Sequence, residues 1–285
     1  MERKRILVIG GDLRLVYLAD AFLKNGFETY IYGIDYNTSI LGITPEESLE
    51  NAMENADVII LPLPVSRDRR NINAQFFKAD IPIDEFCKHL KSSHMVFGGM
   101  ISDGLKTKLS EKAAKCFDYF NDEQLTLKNA QITAEGAIST AIENTHFSLF
   151  ESRVLILGFG RIAKFLAKYI KGFGSGVTIC ARNKNALCEA YLSGYDVCHI
   201  SDIQSILNQA DIIFNTIPAL VLSKHELECI RKKTLVIDLA SKPGGIDLSV
   251  AANLGINHIQ ALSLPGTTAP ESAGKAIYKT VIENF

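Results

Sequence analysis

At 285 residues, with 47% hydrophobic and 22% charged side chains, the chain is long enough for two domains that each bury an ample core. Its 30 Lys and Arg against 32 Asp and Glu leave a net charge of −2, so no broad polyanion-binding surface is expected and nucleic acid is set aside as a partner. There is no export-type segment, no run of about 18 apolar residues, and no CxxC or metal-ligand spacing among the 6 cysteines, which points to a reduced cytoplasmic protein with neither membrane nor metal.

The apolar run 5–9 ends at Gly10, Gly11 and Asp12, and an amphipathic stretch over 13–24 follows, predicting strand, turn and helix. The turn is spaced like a dinucleotide motif, yet Asp12 stands at the middle glycine and Leu15 at the third, which puts a carboxylate where a diphosphate would lie. The first half, 1–130, is therefore expected to be a Rossmann-like α/β domain that binds substrate or a partner in place of a nucleotide. Asp12 and Arg14 would sit at the carboxyl edge of its sheet; the same pair also reads as a turn residue and a surface arginine. A strand over 28–32 and a helix over 45–55 come next, the helix opened by Pro45 with Glu46 and Glu47 behind it. The strand 57–61 is stopped by Leu61-Pro62-Leu63-Pro64 at its carboxyl end, where open α/β sheets bind their ligands. Arg67 and Arg69, flanked by Ser66 and Arg70, form a compact cationic group that suits a carboxylate substrate or, equally, a solvated loop. Elements over 84–90, 95–97, 102–114 and 117–120 complete this half.

Over 131–150 the chain has no Gly-Pro linker; Thr133 suits an N-cap, Glu135 a first turn, and small and apolar residues recur at helical spacing. A long interdomain helix with a cleft beside it is predicted. Glu135 is a candidate base if it faces that cleft; it and His146 also read as ordinary structural residues.

The second domain, 131–285, opens on the apolar run 154–157, which ends in Gly158, Phe159 and Gly160 before an amphipathic helix from Arg161. Gly158 permits a tight turn, Gly160 lets a diphosphate approach the backbone, and Ala163 keeps the helix close to its strand. The free amides of the helix start, at Arg161 and Ile162, would hold that diphosphate. Strands and helices then alternate over 177–180, 184–193, 197–199, 202–209, 211–215, 223–231, 235–238, 247–254 and 257–260, which predicts a doubly wound parallel sheet of order 3-2-1-4-5-6. The second strand of this domain ends in Ala181, Arg182, Asn183 and Lys184: no acid for the ribose hydroxyls, but two cations, which favours NADP over NAD. Thr216, Ile217 and Pro218 are expected along the nicotinamide ribose, and Leu239, Ala240, Ser241 and Lys242 beside the ring. Ser241 and Lys242 are candidates to orient or protonate a substrate, Lys242 also reading as a surface lysine. Gly266, Thr267 and Thr268 precede a helix opened by Pro270, a natural carboxylate site, and that last helix caps the sheet or packs back on the first domain.

Taken in order, IGGDLR (9–14), LPLP (61–64), TAEGAI (133–138), GFGRIAK (158–164), Ala181-Arg182, DLASKPGG (238–245) and the LPG, AP and AGK pieces of 264–275 resemble the A subunit of dipicolinate synthase, from spore-forming bacteria. The resemblance covers nearly the whole chain. It implies an architecture similar to D-2-hydroxyacid dehydrogenases, with two Rossmann-like domains. It also implies oxidation of a dihydrodipicolinate, from the tetrahydrodipicolinate precursor of the lysine pathway, to pyridine-2,6-dicarboxylate, with a pyridine nucleotide taking the hydride. A flavoprotein-like second subunit is implied as partner, and self-association of this chain is compatible with it. Two other readings stay open: a non-catalytic NADP-binding sensor, and a D-2-hydroxyacid dehydrogenase-like oxidoreductase. The latter is weakened because Lys242 stands where that class carries an arginine, and His258 lies among apolar neighbours.

Overall fold

The structure is a computed structural model that describes residues 4–36, 42–43, 45–112, 114–241 and 243–285. It divides into two compact units, one made of Met1–Asn129 with Pro265–Phe285, the other of Ala130–Leu264.

In the first unit β1 (Arg5–Ile9), β2 (Glu28–Tyr32), β3 (Val58–Ile60), β4 (Met95–Gly98) and β5 (Lys115–Asp118) form a parallel sheet of order β2-β1-β3-β4-β5. Apart from Arg5, the central strands β1, β3 and β4 carry no polar side chain, as a parallel sheet covered on both faces demands. Leu7 and Ile9 point to one face, packed under α2 (Leu49–Glu54), α3 (Ile83–Lys88) and α4 (Asp103–Glu111); Ile6 and Val8 point to the other, under α1 (Leu13–Lys24) and α12 (Pro270–Ile282). The last helix lies so close to α1 that a Cβ on Gly274 would collide with the Arg14 carbonyl oxygen. The order 2-1-3-4-5 places the topological switch between β1 and β3, where such sheets open a crevice. The helix expected over 45–55 is shorter: Pro45 bridges to Ile31, and Ser48 caps α2 by accepting from the Asn51 amide at 3.2 Å.

The helix expected over 131–150 is α5 (Glu123–Glu143), and it crosses the division between the units. It begins earlier because Asp122 accepts the Leu125 amide at 2.7 Å, so Thr133 is an interior position and not a cap. It ends earlier too, and 144–152 is irregular.

The second unit contains β6 (Arg153–Leu157), β7 (Gly176–Ala181), β8 (Asp196–His199), β9 (Ile212–Asn215), β10 (Leu235–Asp238) and β11 (His258–Gln260). All run parallel in the order β11-β10-β9-β6-β7-β8, which is the 3-2-1-4-5-6 arrangement expected from the sequence. Val154 and Ile156 pack on one face against α6 (Arg161–Gly172) and α5. Leu155 and Leu157 pack on the other against α8 (Gln204–Leu207), α9 (Lys224–Glu228) and α10 (Leu248–Leu254). The remaining helices are α7 (Lys184–Leu192) and the short α11 (Leu264–Thr268). Among the described residues, no helix is long and apolar enough to cross a membrane.

Candidate functional site

The carboxyl edge of the second sheet gathers most of the residues singled out above. Gly158 has φ +96°, and a Cβ there would lie 2.5 Å from the Thr216 hydroxyl oxygen, so only glycine lets the β6 turn pass under the end of β9. Thr216 in turn donates to the Leu157 carbonyl at 2.8 Å, and the Gly158 amide donates to the Cys180 carbonyl at 2.8 Å. Three strand ends are thereby clamped around one glycine. Gly160, at the N-cap of α6, differs: a Cβ there would meet nothing within 4 Å. No side chain caps this 12-residue helix at Gly160 and no acid stands in its first turn, so the positive end of its dipole is not offset by a carboxylate of its own. Arg161 is exposed, Ile162 half-buried and Ala163 fully buried. That geometry fits the diphosphate of a dinucleotide, at the switch between β6 and β9.

At the end of β7, Arg182, Asn183 and Lys184 are exposed. The Asn183 side-chain oxygen accepts from the Asn185 and Ala186 amides at 2.8 and 3.2 Å, so it is the N-cap of α7. His199, the last residue of β8, reaches across to the Arg182 carbonyl, 3.2 Å from Nε2.

The ends of β9 and β10 are joined by a buried polar network. Asn215 donates to Asp238 at 2.7 Å and to the Ile217 carbonyl at 3.0 Å, and accepts from the Ile217 amide at 3.1 Å. Asp238 also accepts from the Ala240 amide at 3.1 Å and the Gly245 amide at 3.0 Å. A Cβ on Gly245 would strike Asn215, and Gly244 has φ +86° with Asp238 beside it, which together account for the paired glycines of DLASKPGG. This network holds Ile217 and Pro218 on one loop and Leu239 and Ala240 on the other; Leu239 and Ala240 are buried, Pro218 and Ser241 exposed. Lys242 lies outside the described residues. Asn215, Asp238 and His199 were not singled out as organisers of the site. A polar residue at the last position of an otherwise apolar strand is the signal that marks Asn215 and Asp238.

Glu135 is exposed between buried Ala134 and Gly136 on α5 and accepts from Gln131 at 3.1 Å. His146 is exposed at the amino-terminal edge of the second sheet, in a shallow cavity of about 640 Å³ with Asp211, Lys233 and Asn257.

The first unit is built differently at the corresponding turn. Asp12 and Arg14 are buried, and they face each other: Arg14 Nε lies 2.9 Å from one carboxylate oxygen and its terminal nitrogen 2.7 Å from the other. The same nitrogen donates to the Leu63 carbonyl at 2.6 Å, tying the turn to the LPLP loop. Both charges are compensated inside the fold, and Arg14 is buried and not a surface arginine. Gly266 packs on the pair as well, since a Cβ there would lie 2.7 Å from the Asp12 carboxylate. The segment Leu264–Thr268, expected as a loop, is a short helix whose Gly266 is buried and whose Thr267 and Thr268 are exposed. Arg67 and Arg69 are exposed on a tight turn held by Asp68, which accepts the Arg70 and Asn71 amides at 2.8 Å each. Those amides hold the Asp68 carboxyl down to about 2. Among the described residues, no group of His, Cys, Asp and Glu is placed to hold a metal ion.

Comparison with known proteins gives the two units different relatives. Residues 5–120 match the family described as the N-terminal domain of the dipicolinate synthase A subunit, and residues 140–263 match Shikimate / quinate 5-dehydrogenase. The dipicolinate synthase A subunit of Bacillus subtilis (strain 168) is 28% identical over 275 residues, covering 96% of this chain and 93% of the relative. Among solved structures, the dipicolinate synthase A subunit from Bacillus halodurans superposes with a TM-score of 0.87 at 27% identity, covering 99% of this chain and 97% of that one. Its counterpart from Bacillus subtilis gives 0.84 at 26% identity, covering 100% and 96%. Along nearly its whole length the chain is similar to dipicolinate synthase A subunits. Transhydrogenase from Sinorhizobium meliloti, with a TM-score of 0.69 at 13% identity over 98% of this chain and 92% of that one, shares the fold. The Rossmann dehydrogenase-like second unit implies a nicotinamide dinucleotide as coenzyme.

Proposed function

We propose that the chain is the nucleotide-binding subunit of a dipicolinate synthase, and that it oxidises a dihydrodipicolinate to pyridine-2,6-dicarboxylate with NADP⁺ as hydride acceptor. The observation that carries the reading is the pairing of an open, uncapped turn at Gly160 with two exposed cations, Arg182 and Lys184, at the end of β7, where no acid stands. When bound, the coenzyme supplies the hydride-accepting carbon. Gly158, Gly160 and the amides of Arg161 and Ile162 hold the diphosphate; Arg182 and Lys184 take the 2′-phosphate by charge-assisted bonds. Thr216, Ile217, Pro218, Leu239 and Ala240 line the nicotinamide ribose on loops that the Asn215–Asp238 network keeps rigid.

Two hydrogens leave the substrate, one as hydride and one as a proton, and aromatisation of the ring drives both. Ser241, Lys242 and Glu135 are the groups we assign to orienting the ring and taking the proton. Exposed Arg67, Arg69, Thr267 and Thr268 are assigned to the two carboxylates, while Asp12 and Arg14 keep the neighbouring turn in place. The reaction would run in the cytoplasm of a spore-former, in partnership with a flavoprotein-like second subunit.

Arg182→Ala tests the coenzyme assignment by titration calorimetry. NADP(H) binding weakens by about 1–3 kcal/mol, the range of a charge-assisted hydrogen bond, while NAD(H) binding stays within error. Equal weakening of both removes the assignment. Substrate-dependent NADPH formation by the two-subunit mixture, lost in Gly160→Asp, supports catalysis here. NADPH binding without turnover in any mixture makes the chain a sensor.

A further inference from the structure

We propose that His199 is the positioning residue that gives this chain its choice between coenzymes, by aiming Arg182 at the adenosine 2′-phosphate; the inference rests on the NADP reading above. The last ladder pair of β7 and β8 is Ala181 with His199, so the Arg182 peptide lies one step beyond the sheet and has no strand partner to fix it. His199 replaces that missing rung with a side chain. Its Nδ1 accepts from the Ser201 amide at 3.3 Å and lies 2.8 Å from the Ser201 hydroxyl, as the cap of a short 3-10 turn over Ile200–Asp202. Because Nδ1 is an acceptor, Nε2 carries the hydrogen, and it donates to the Arg182 carbonyl at 3.2 Å. The tautomer is thus set by one neighbour and used on the other.

The next residue along, Asn183, is held from the opposite side as the N-cap of α7. Arg182 therefore stands on a peptide fixed at both ends, while its own guanidinium is exposed. Fixing the backbone of a long side chain lowers the ordering needed when it meets a phosphate, and only a coenzyme that carries the 2′-phosphate gains from it. NADH, which ends in two hydroxyls there, does not. A side chain acting only to stabilise the fold would change both affinities together.

Three variants of the full-length chain separate these cases by calorimetric titration with NADPH and NADH, alongside thermal melting. His199→Ala removes both contacts. His199→Asn keeps an acceptor close to the position of Nδ1, and so the cap on Ser201, but has no donor that reaches Arg182. His199→Gln carries an amide hydrogen near the position of Nε2. The expected result is an NADPH affinity about tenfold lower in the Ala and Asn variants, the size of one lost hydrogen bond, with NADH affinity within about twofold of the parent. His199→Gln restores most of the discrimination. The inference is overturned if the Asn variant discriminates as the parent does, or if Ala and Asn shift both coenzymes equally. Arg182→Ala in the same series tells the two failures apart. If it also leaves discrimination unchanged, the NADP reading falls and takes the inference with it. If it abolishes discrimination while His199→Asn does not, the inference alone falls.

Discussion

The first strand of each unit ends in a glycine turn and feeds a 12-residue helix, and the two turns have opposite fates. At Gly10, φ is +59° and a Cβ would sit 2.8 Å from the Asn73 carbonyl; at Gly11 the amide donates to that same carbonyl at 2.7 Å. The space before this turn is occupied by the chain itself, by 73–75 on one side and Gly266 on the other. At Gly160 nothing stands within 4 Å. The helix caps follow the same division. Asp12 supplies a carboxylate to the start of α1 and a buried arginine neutralises it, whereas α6 starts on a glycine with no side-chain cap. A carboxylate at a helix start does what a bound anion would do there. One fold motif, used twice, thus carries its own anion in the first unit and none in the second, and the copy without one is the one suited to an anionic ligand.

The sharpest way to break this comparison is to remove the internal anion. Asp12→Asn leaves the Arg14 guanidinium buried without its counter-charge, at an expected loss of about 3–5 kcal/mol in denaturant unfolding of the first unit. Coenzyme affinity should not follow it. Replacing both partners, as Asp12→Leu with Arg14→Met, should recover much of the loss, since a buried pair contributes little over a well-packed apolar one. Next in size is Gly160→Asp, the reciprocal change. The added carboxylate enters open space, so the unfolding midpoint stays put while nucleotide affinity drops by about 100-fold, close to 3 kcal/mol. Gly10→Val is the matched control: its cost is about 2 kcal/mol of stability from the left-handed backbone and the contact with Asn73, with nucleotide affinity unchanged. Equal behaviour of the two glycine variants in both assays would end the distinction.

The second sheet was legible in the sequence nearly strand by strand, because alternating apolar runs and amphipathic helices repeat without interruption and the order follows from right-handed crossovers. Gly158 was legible as well, since a tight turn needs glycine for a local reason. Three things were not. The start of α5 at Glu123 depends on Asp122 as a cap, and the small residues of 131–150 are helical by pattern but end at Glu143. Asp12 and Arg14 read as site residues because a charged pair at a strand's carboxyl end resembles one; only packing reveals that the two charges neutralise each other. His199 escaped notice because its contact with the Arg182 carbonyl depends on the register of β7 and β8, a non-local fact.

The two units should also differ in their response to acid. His94 is buried in the first unit, and its Nδ1 accepts from the Lys91 amide at 3.1 Å. Burial, reinforced by the Lys91 charge, pushes its pKa below the ordinary 6.5. No described histidine of the second unit is buried. The folded chain therefore refuses a proton that the unfolded chain accepts, so the contribution of His94 to stability is complete above 6.5 and is lost progressively as the pH falls below it. Between about pH 7.5 and about pH 5.5, hydrogen-exchange protection should fall in β3 and β4 and hold in β6 and β9. His94→Asn, whose amide oxygen can replace Nδ1 opposite Lys91, should flatten the response of β3 and β4. A loss of protection shared by both sheets, or one that survives the substitution, would place the acid sensitivity elsewhere.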